Sequence, residues 1–161
     1  MIDPNDVRLE AVTDRAWLDR FVSERWGPPG VVSRGRLWRG ADLAAIRAMH
    51  GGDVVGLISW RADPDDWELV TVDSLVAGIG IGTRLLDAAV EIARRAGARR
   101  VWLITTNDNL DALRFYQRRG FRISAVHAGA VAASRKLKPG IPETGSFGIP
   151  IRDEIELEMT L

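Results

Sequence analysis

The chain has 161 residues, 46% of them hydrophobic and 27% charged, which is enough for one domain that buries most of its apolar surface. Its 22 basic and 22 acidic residues balance to zero net charge, which argues against a disordered tail and against a nucleic-acid binder that relies on gross charge. The absence of cysteine excludes disulfides, a thiolate nucleophile and a thiolate metal site.

The first part of the chain is predicted to form a strand and a helix. The first six residues are polar and acidic, unlike a secretory signal, and no apolar run approaches membrane-spanning length, so we expect a cytoplasmic protein without a membrane partner. Alternation over residues 8–12 predicts a short strand, and Thr13 is a suitable N-cap for a helix that runs to about Trp26. Gly-Pro-Pro-Gly at 27–30 ends that helix. Residues 31–38 form either an edge strand or a loop.

The middle of the chain reads as a hairpin followed by a further strand. Helix propensity alone would make residues 44–49 helical. However, Gly-Gly-Asp at 51–53 followed by the β-type run 54–60 favours a hairpin turn, with 45–49 as its first strand. The acidic turn after this hairpin leads into a strand over 67–72.

A glycine cluster at 78–82 opens a long amphipathic helix that ends at Gly97. A helix entered through glycines presents unpaired backbone N–H groups, and its dipole adds positive potential at that end, so a phosphate is its natural ligand. The apolar run 99–105 that follows predicts a buried strand parallel to the strand over 67–72, which gives one βαβ crossover.

The last third of the chain completes a mixed α/β domain. Its predicted elements are a helix capped by Asn109 that runs through Arg119, a strand over 121–126, a helical turn over 128–133, an irregular loop over 139–150 and a final strand over 151–161. Neither an internal repeat nor an interdomain linker is visible. We therefore expect residues 1–161 to form a single domain.

Two spaced patterns together resemble the GNAT superfamily of N-acetyltransferases. The first, V-x-V-x-S-x-x-A-x-x-G-x-G, runs from Val70 to Gly82, and the second, N-x-x-A-x-x-F-Y-x-x-x-G-F, runs from Asn109 to Phe121. The resemblance implies a GNAT-like α/β fold, in which helices flank a mostly antiparallel sheet with one parallel crossover between its fourth and fifth strands. It also implies acetyl-CoA as co-substrate, no metal, and a primary amine of a small molecule or peptide as acceptor.

One position departs from the family's cofactor motif, which is usually written Q/R-x-x-G-x-G/A. This chain has Ala77 where the family has Gln or Arg, and Ile79 where a basic residue is frequent. The change removes a side-chain contact to the pyrophosphate but leaves the backbone donors in place. Either the affinity for CoA is weaker as a result, or Arg84 or another arginine replaces the missing contact.

By resemblance, the cofactor is held mostly by main-chain groups. Glycine amides and the Thr83 hydroxyl would cradle the pyrophosphate, while main-chain groups of Val72 and Ser74 would pair with the pantetheine arm. Asn109 is a predicted helix cap and also a candidate contact to that arm. The expected cofactor-binding residues are Val72, Ser74, Gly78, Ile79, Gly80, Ile81, Gly82, Thr83, Asn109 and Tyr116.

The resemblance assigns three catalytic roles. The N–H of Val72 would donate to the thioester carbonyl, and Tyr116, the single tyrosine of the chain, would protonate the departing thiolate. The ammonium group of the acceptor needs a base, for which Glu68 is the first candidate and Asp73 the second. The two histidines, His50 and His127, stand apart from any clustered carboxylates and do not indicate a metal site.

Two other functions fit parts of the sequence. A GNAT-like protein that binds acyl-CoA without turnover is mildly favoured by Ala77 and opposed by Asn109 and Tyr116. A dinucleotide-binding oxidoreductase would need a third glycine at the required spacing and further βαβ units, which this chain lacks.

The acceptor is expected to lie against the first helix, residues 31–38 and the loop 139–150. The residues that would line its site are Trp17, Trp26, Arg34, Trp38 and that loop. An exposed final strand would also permit a homodimer.

Overall fold

The computed structural model describes residues 1–161 in full and contains nine strands and four α-helices. In chain order they are β1 (Arg8–Ala11), α1 (Arg15–Trp26), β2 (Val31–Ser33), β3 (Arg36–Trp38), β4 (Ala44–His50), β5 (Asp53–Ala62), β6 (Asp66–Ser74), α2 (Ile81–Arg95), β7 (Arg100–Thr106), α3 (Leu110–Gln117), β8 (Arg122–His127), α4 (Ala130–Leu137) and β9 (Glu154–Thr160). None of the helices is both long enough and apolar enough to cross a bilayer.

Seven strands form one sheet in the order β1-β4-β5-β6-β7-β9-β8, in which β6 and β7 are the one parallel pair. The predicted mixed sheet with a single parallel crossover is therefore confirmed. Successive side chains of a strand point to opposite faces of the sheet, so β5 packs against a helix on each face. Its Leu57 packs with Leu18 and Val22 of α1, whereas Ile58 packs with Leu85 and other residues of α2.

The predicted hairpin is confirmed, and residues 31–38 prove to be a hairpin of their own. β4 and β5 pair antiparallel across the turn at Gly51 and Gly52, as the glycine-led turn predicts. β2 and β3 pair across Arg34 and Gly35, which both adopt positive φ, +50° and +74°. Glycine occupies that backbone conformation without strain, which explains the tight turn at Gly35.

Two local predictions were wrong in position. The side chain of Asp14, rather than that of Thr13, caps α1, because its carboxylate accepts the Trp17 N–H at 3.0 Å. Residues 130–137 form a full helix, α4, which is longer than the turn predicted over 128–133. Ser134, the fifth residue of α4, is buried, and its hydroxyl donates to Glu154 at the start of β9.

The final strand is not exposed, so it does not offer the edge through which an exposed final strand would permit a homodimer. β9 inserts between β7 and β8 and pairs antiparallel with both, so both of its backbone edges are hydrogen-bonded. The two edges of the sheet are β1 and β8.

The parallel pair separates halfway along its length. β6 and β7 pair from Asp66 and Arg100 up to Leu69 and Leu103, but β6 continues to Ser74 while β7 continues to Thr106. The register between β5 and β6 shifts at Ser59, where β6 contains one extra residue, Val70. Such a bulge bends a strand, and the two strands diverge from this point.

Candidate active site

The divergence of β6 and β7 leaves backbone groups of β6 without a neighbouring strand. The Leu75 N–H donates to the Val55 carbonyl at 2.9 Å, so these two residues form a hydrogen-bonded pair between β5 and β6. The register of the two strands then shows which other residues of β6 are bonded to β5. Because these pairs alternate in an antiparallel ladder, the amides of Val72 and Ser74 point away from β5 and into the gap. The main-chain donors expected at Val72 and Ser74 therefore face open space.

Two cavities flank this gap. The inner cavity, of about 230 Å³, is lined by Glu68, Leu103–Thr106, Asn109, Tyr116, Glu154 and neighbouring residues of β2, β6 and α4. The outer cleft, of about 430 Å³, is lined by Val72, Ser74, Gly82, Asp111, Ala112, Arg114, Phe115, Tyr116, Arg118 and Arg119. The two share Val72, Ala112 and Tyr116, which therefore form the boundary between them.

The turn before α2 presents free amides beside the outer cleft. No main-chain N–H from Val76 to Thr83 donates a hydrogen bond to another protein group, and the helix N-cap, Gly80, contributes no side chain. Gly78 and Gly80 adopt φ of +81° and +75°, which glycine tolerates without strain. The donors of Gly78, Ile79, Gly80, Ile81, Gly82 and Thr83 are thus available to an anion at the positive end of a helix.

Arg119 supplies a cation at this turn. Its Nε and Nη2 donate to the Thr83 hydroxyl oxygen at 2.9 and 2.7 Å, and its guanidinium lies 3.7 Å from the centre of the Phe115 ring. Arg114 and Arg118 line the same cleft. Arg84, named from the sequence as a replacement for the missing charge, instead donates to the carbonyls of residues 4 and 7 and anchors the N-terminal segment.

Tyr116, the expected proton donor, lines both cavities and lies between them. Its ring packs edge-on against Phe115 and Phe121, with centroids 5.1 and 5.6 Å away. Burial raises the pKa of the Tyr116 phenol, and the nearby charge of Asp73 raises it further. The phenol therefore keeps its proton at neutral pH.

Glu68 is a buried carboxyl on the wall of the inner cavity. Its side chain is 7% exposed, and its Oε1 has no hydrogen-bond partner. Burial raises the pKa of Glu68; the adjacent Ser33 hydroxyl, Arg61 and Trp38 oppose that shift, and Glu154 adds to it. A carboxyl with a raised pKa accepts a proton more readily than one in water, which is what a general base requires.

Asp73, the second candidate for the base, faces elsewhere. Its two carboxylate oxygens accept the Trp26 Nε1–H at 3.0 Å and the Arg25 Nε–H at 3.4 Å, and it lines neither cavity. Burial raises the pKa of Asp73, and these two donors oppose the shift. Its contact orients Trp26, which does line the inner cavity.

Asn109 acts as the expected cap, because its Oδ1 accepts the Ala112 N–H at 3.1 Å, and it also lines the inner cavity. Next to it, Asp108 accepts the Ser146 N–H at 2.9 Å and fixes the loop 139–150. That loop contributes Ile141 to the cavity wall.

Of the residues expected to line the acceptor site, Trp26 and part of β2 do so, and three others do not. Trp17 stacks on Phe21 and under Arg47. Trp38 lies beneath the guanidinium of Arg61, 4.8 Å from its ring centre. Arg34 reaches the site only through its backbone N–H, which donates to Glu154 at 3.1 Å.

Glu154 was missed by the sequence analysis. It is 3% exposed, lines the inner cavity and accepts the Ser134 hydroxyl at 3.2 Å. An acidic residue within a predicted strand carries no functional signal of its own. Its placement beside Glu68 depends on the insertion of β9 into the sheet, which local patterns do not encode.

Comparison with known proteins agrees with this geometry. The model of the acetyltransferase (GNAT) family matches residues 9–121. YdhI of Bacillus subtilis, itself uncharacterized, is 38% identical over 156 residues, which cover 96% of this chain and 94% of that protein. An IAA acetyltransferase from Bacillus cereus has a similar fold, with a TM-score of 0.73 and 24% identity over 96% of this chain and 99% of that one. So does a GNAT family acetyltransferase from Elizabethkingia anophelis solved with acetyl-CoA bound, with a TM-score of 0.71 and 18% identity over 98% and 99% of the two chains.

Proposed function

Because the chain belongs to the acetyltransferase (GNAT) family, we propose that it transfers the acetyl group of acetyl-CoA to a primary amine by direct attack. The observation that carries this proposal is the position of Val72 and Tyr116, which form the boundary between the inner cavity and the outer cleft. A donor and an acid at such a boundary can act on two substrates that approach from opposite sides.

We assign the outer cleft to the cofactor, which supplies an acetyl group activated as a thioester. The free amides at 76–83 would hold the pyrophosphate, and Arg119 would provide the positive charge that Ala77 does not. The amides of Val72 and Ser74 would pair with the pantetheine arm along the unpaired edge of β6. Asn109 lies at the inner end of that path.

We assign the inner cavity to the acceptor. Glu68 would remove the proton of the bound ammonium, directly or through a water, so that the nitrogen can form a bond to the thioester carbonyl carbon. The Val72 N–H would donate to the carbonyl oxygen as negative charge grows there, an interaction worth about 3 kcal/mol at such a position.

Tyr116 would complete the transfer. As the carbon–sulfur bond breaks, the phenol gives its proton to the departing thiolate, so that CoA leaves as a thiol. The new amide nitrogen loses its extra proton in the same step, and that proton restores the phenol. The products are an N-acetylated amine, CoA with a free thiol, and the proton held by Glu68.

A screen of amines for release of free thiol from acetyl-CoA tests this function. The expected result is thiol release with at least one amine and calorimetric binding of one CoA per chain. Silence in the calorimeter at millimolar CoA would reject the proposal. CoA binding without thiol release from any amine would instead favour a protein that binds acyl-CoA without turnover.

A further inference from the structure

The inner cavity is lined by acidic residues and by no basic ones. Its two acidic lining residues are Glu68 and Glu154. No lysine, arginine or histidine lines it. The cavity therefore offers acceptors to a cation and offers no cationic partner to a carboxylate.

The two carboxylates also have hydrogen-bonding capacity to spare. Each carboxylate oxygen can accept more than one hydrogen bond. Glu68 is 7% exposed, and its Oε1 accepts no hydrogen bond of standard geometry, although the Ser33 hydroxyl and the Trp38 indole lie close enough to stabilise its charged form. The two oxygens of Glu154 accept one hydrogen bond each, from Ser134 and from the Arg34 backbone.

The two carboxylates reach the cavity from different strands. Glu68 belongs to β6 and Glu154 to β9, with β7 between them. Arg61 acts on Glu68 from outside the cavity, so no cation lines the cavity itself. Two buried carboxylates near each other are costly, and a bound cation at each would offset that cost. A ligand with one positive charge leaves one carboxylate unpaired.

We infer that the acceptor is a short aliphatic diamine, whose reacting amine lies at Glu68 while its second ammonium pairs with Glu154. This inference rests on the proposed function for the role of Glu68 and adds Glu154 as a residue that determines specificity. The cavity of about 230 Å³ suits a compact ligand of this kind, since sites for drug-sized ligands begin at about 300 Å³.

Calorimetry on the full chain saturated with CoA tests the inference without turnover. The probes are 1,4-diaminobutane, pentylamine, which has a methyl group in place of the second ammonium, and 4-aminobutyrate, which has a carboxylate there. We expect the diamine to bind at least about tenfold more tightly than pentylamine, and 4-aminobutyrate to bind more weakly than either. Equal or undetectable binding of the three, or a preference for 4-aminobutyrate, would overturn the inference.

Two variants test whether Glu154 causes the preference for the diamine. Glu154→Gln keeps an acceptor for Ser134 and should bring the diamine and pentylamine to within about twofold of each other. Ser134→Ala removes a hydrogen bond to Glu154 but keeps the charge, so it should retain the diamine preference. If a variant fails to fold, the order in which the wild type binds the three probes still tests the inference. Diamine binding that depends on Glu154 but gives no thiol release with acetyl-CoA would reject the proposed function and support the ligand class.

Discussion

The guanidinium of Arg119 donates two hydrogen bonds to the Thr83 hydroxyl oxygen, at 2.9 and 2.7 Å, and so joins the turn that follows α3 to the first turn of α2. The contact places a positive charge at the glycine turn from a part of the chain far from the cofactor motif. Under the proposed function, this charge would replace the Gln or Arg that the family has at the position of Ala77.

Replacing Arg119 should therefore weaken cofactor binding. We expect Arg119→Met to raise the Kd for CoA by about tenfold, the loss of one charge-assisted contact. Arg119→Lys is the matched control, since it keeps the positive charge and should retain most of the affinity. The double variant Arg119→Met with Ala77→Arg should recover part of the affinity. An unchanged Kd in Arg119→Met would remove this residue from the cofactor site.

Tyr116→Phe should lower turnover and leave cofactor affinity in place. The phenol makes no hydrogen bond within the protein, and the ring contacts with Phe115 and Phe121 survive the change. We expect kcat to fall by about a hundredfold or more, as for the loss of a general acid, with the Kd for CoA within twofold of wild type. A melting temperature within a degree or two of wild type would show that packing is retained. If kcat does not change, the proton reaches the thiolate from another source.

Much of the fold is predictable from the sequence because its signals are local. The glycine turn at 51–53, the Asn109 cap and the glycine-led entry to α2 each act within a few residues of the chain. The bond between Arg119 and Thr83 joins residues 36 positions apart, and Glu154 reaches the site only because β9 inserts beside β7. Strand order and side-chain convergence of this kind follow from the packing of the whole chain, which periodicity does not describe.

Glu68→Gln should slow the enzyme and stabilise it. Burial raises the pKa of Glu68, so its ionised form costs free energy in the folded state at neutral pH. Removing that charge should therefore raise the melting temperature at pH 7 above that of the wild type. The gain should disappear as the pH falls through the raised pKa towards the ordinary value of 4.5, because wild-type Glu68 is then protonated as well.

The pH profile of turnover tests the protonation of Glu68 independently of the melting temperature. A general base acts when it is deprotonated, so the rate of the wild type should rise with pH through the raised pKa of Glu68. In Glu68→Gln this rise of the rate with pH should be absent. The remaining rate should follow the ionisation of the amine itself. If the rise persists in the variant, it must come from the ionisation of another group.

Asp73→Asn separates the two candidate bases. Asp73 is engaged by Trp26 and Arg25 and lines neither cavity, so in this variant the rate should still rise with pH as it does in the wild type, whereas Glu68→Gln should lose that rise. Loss of the rise in Asp73→Asn would make Asp73 the base in place of Glu68.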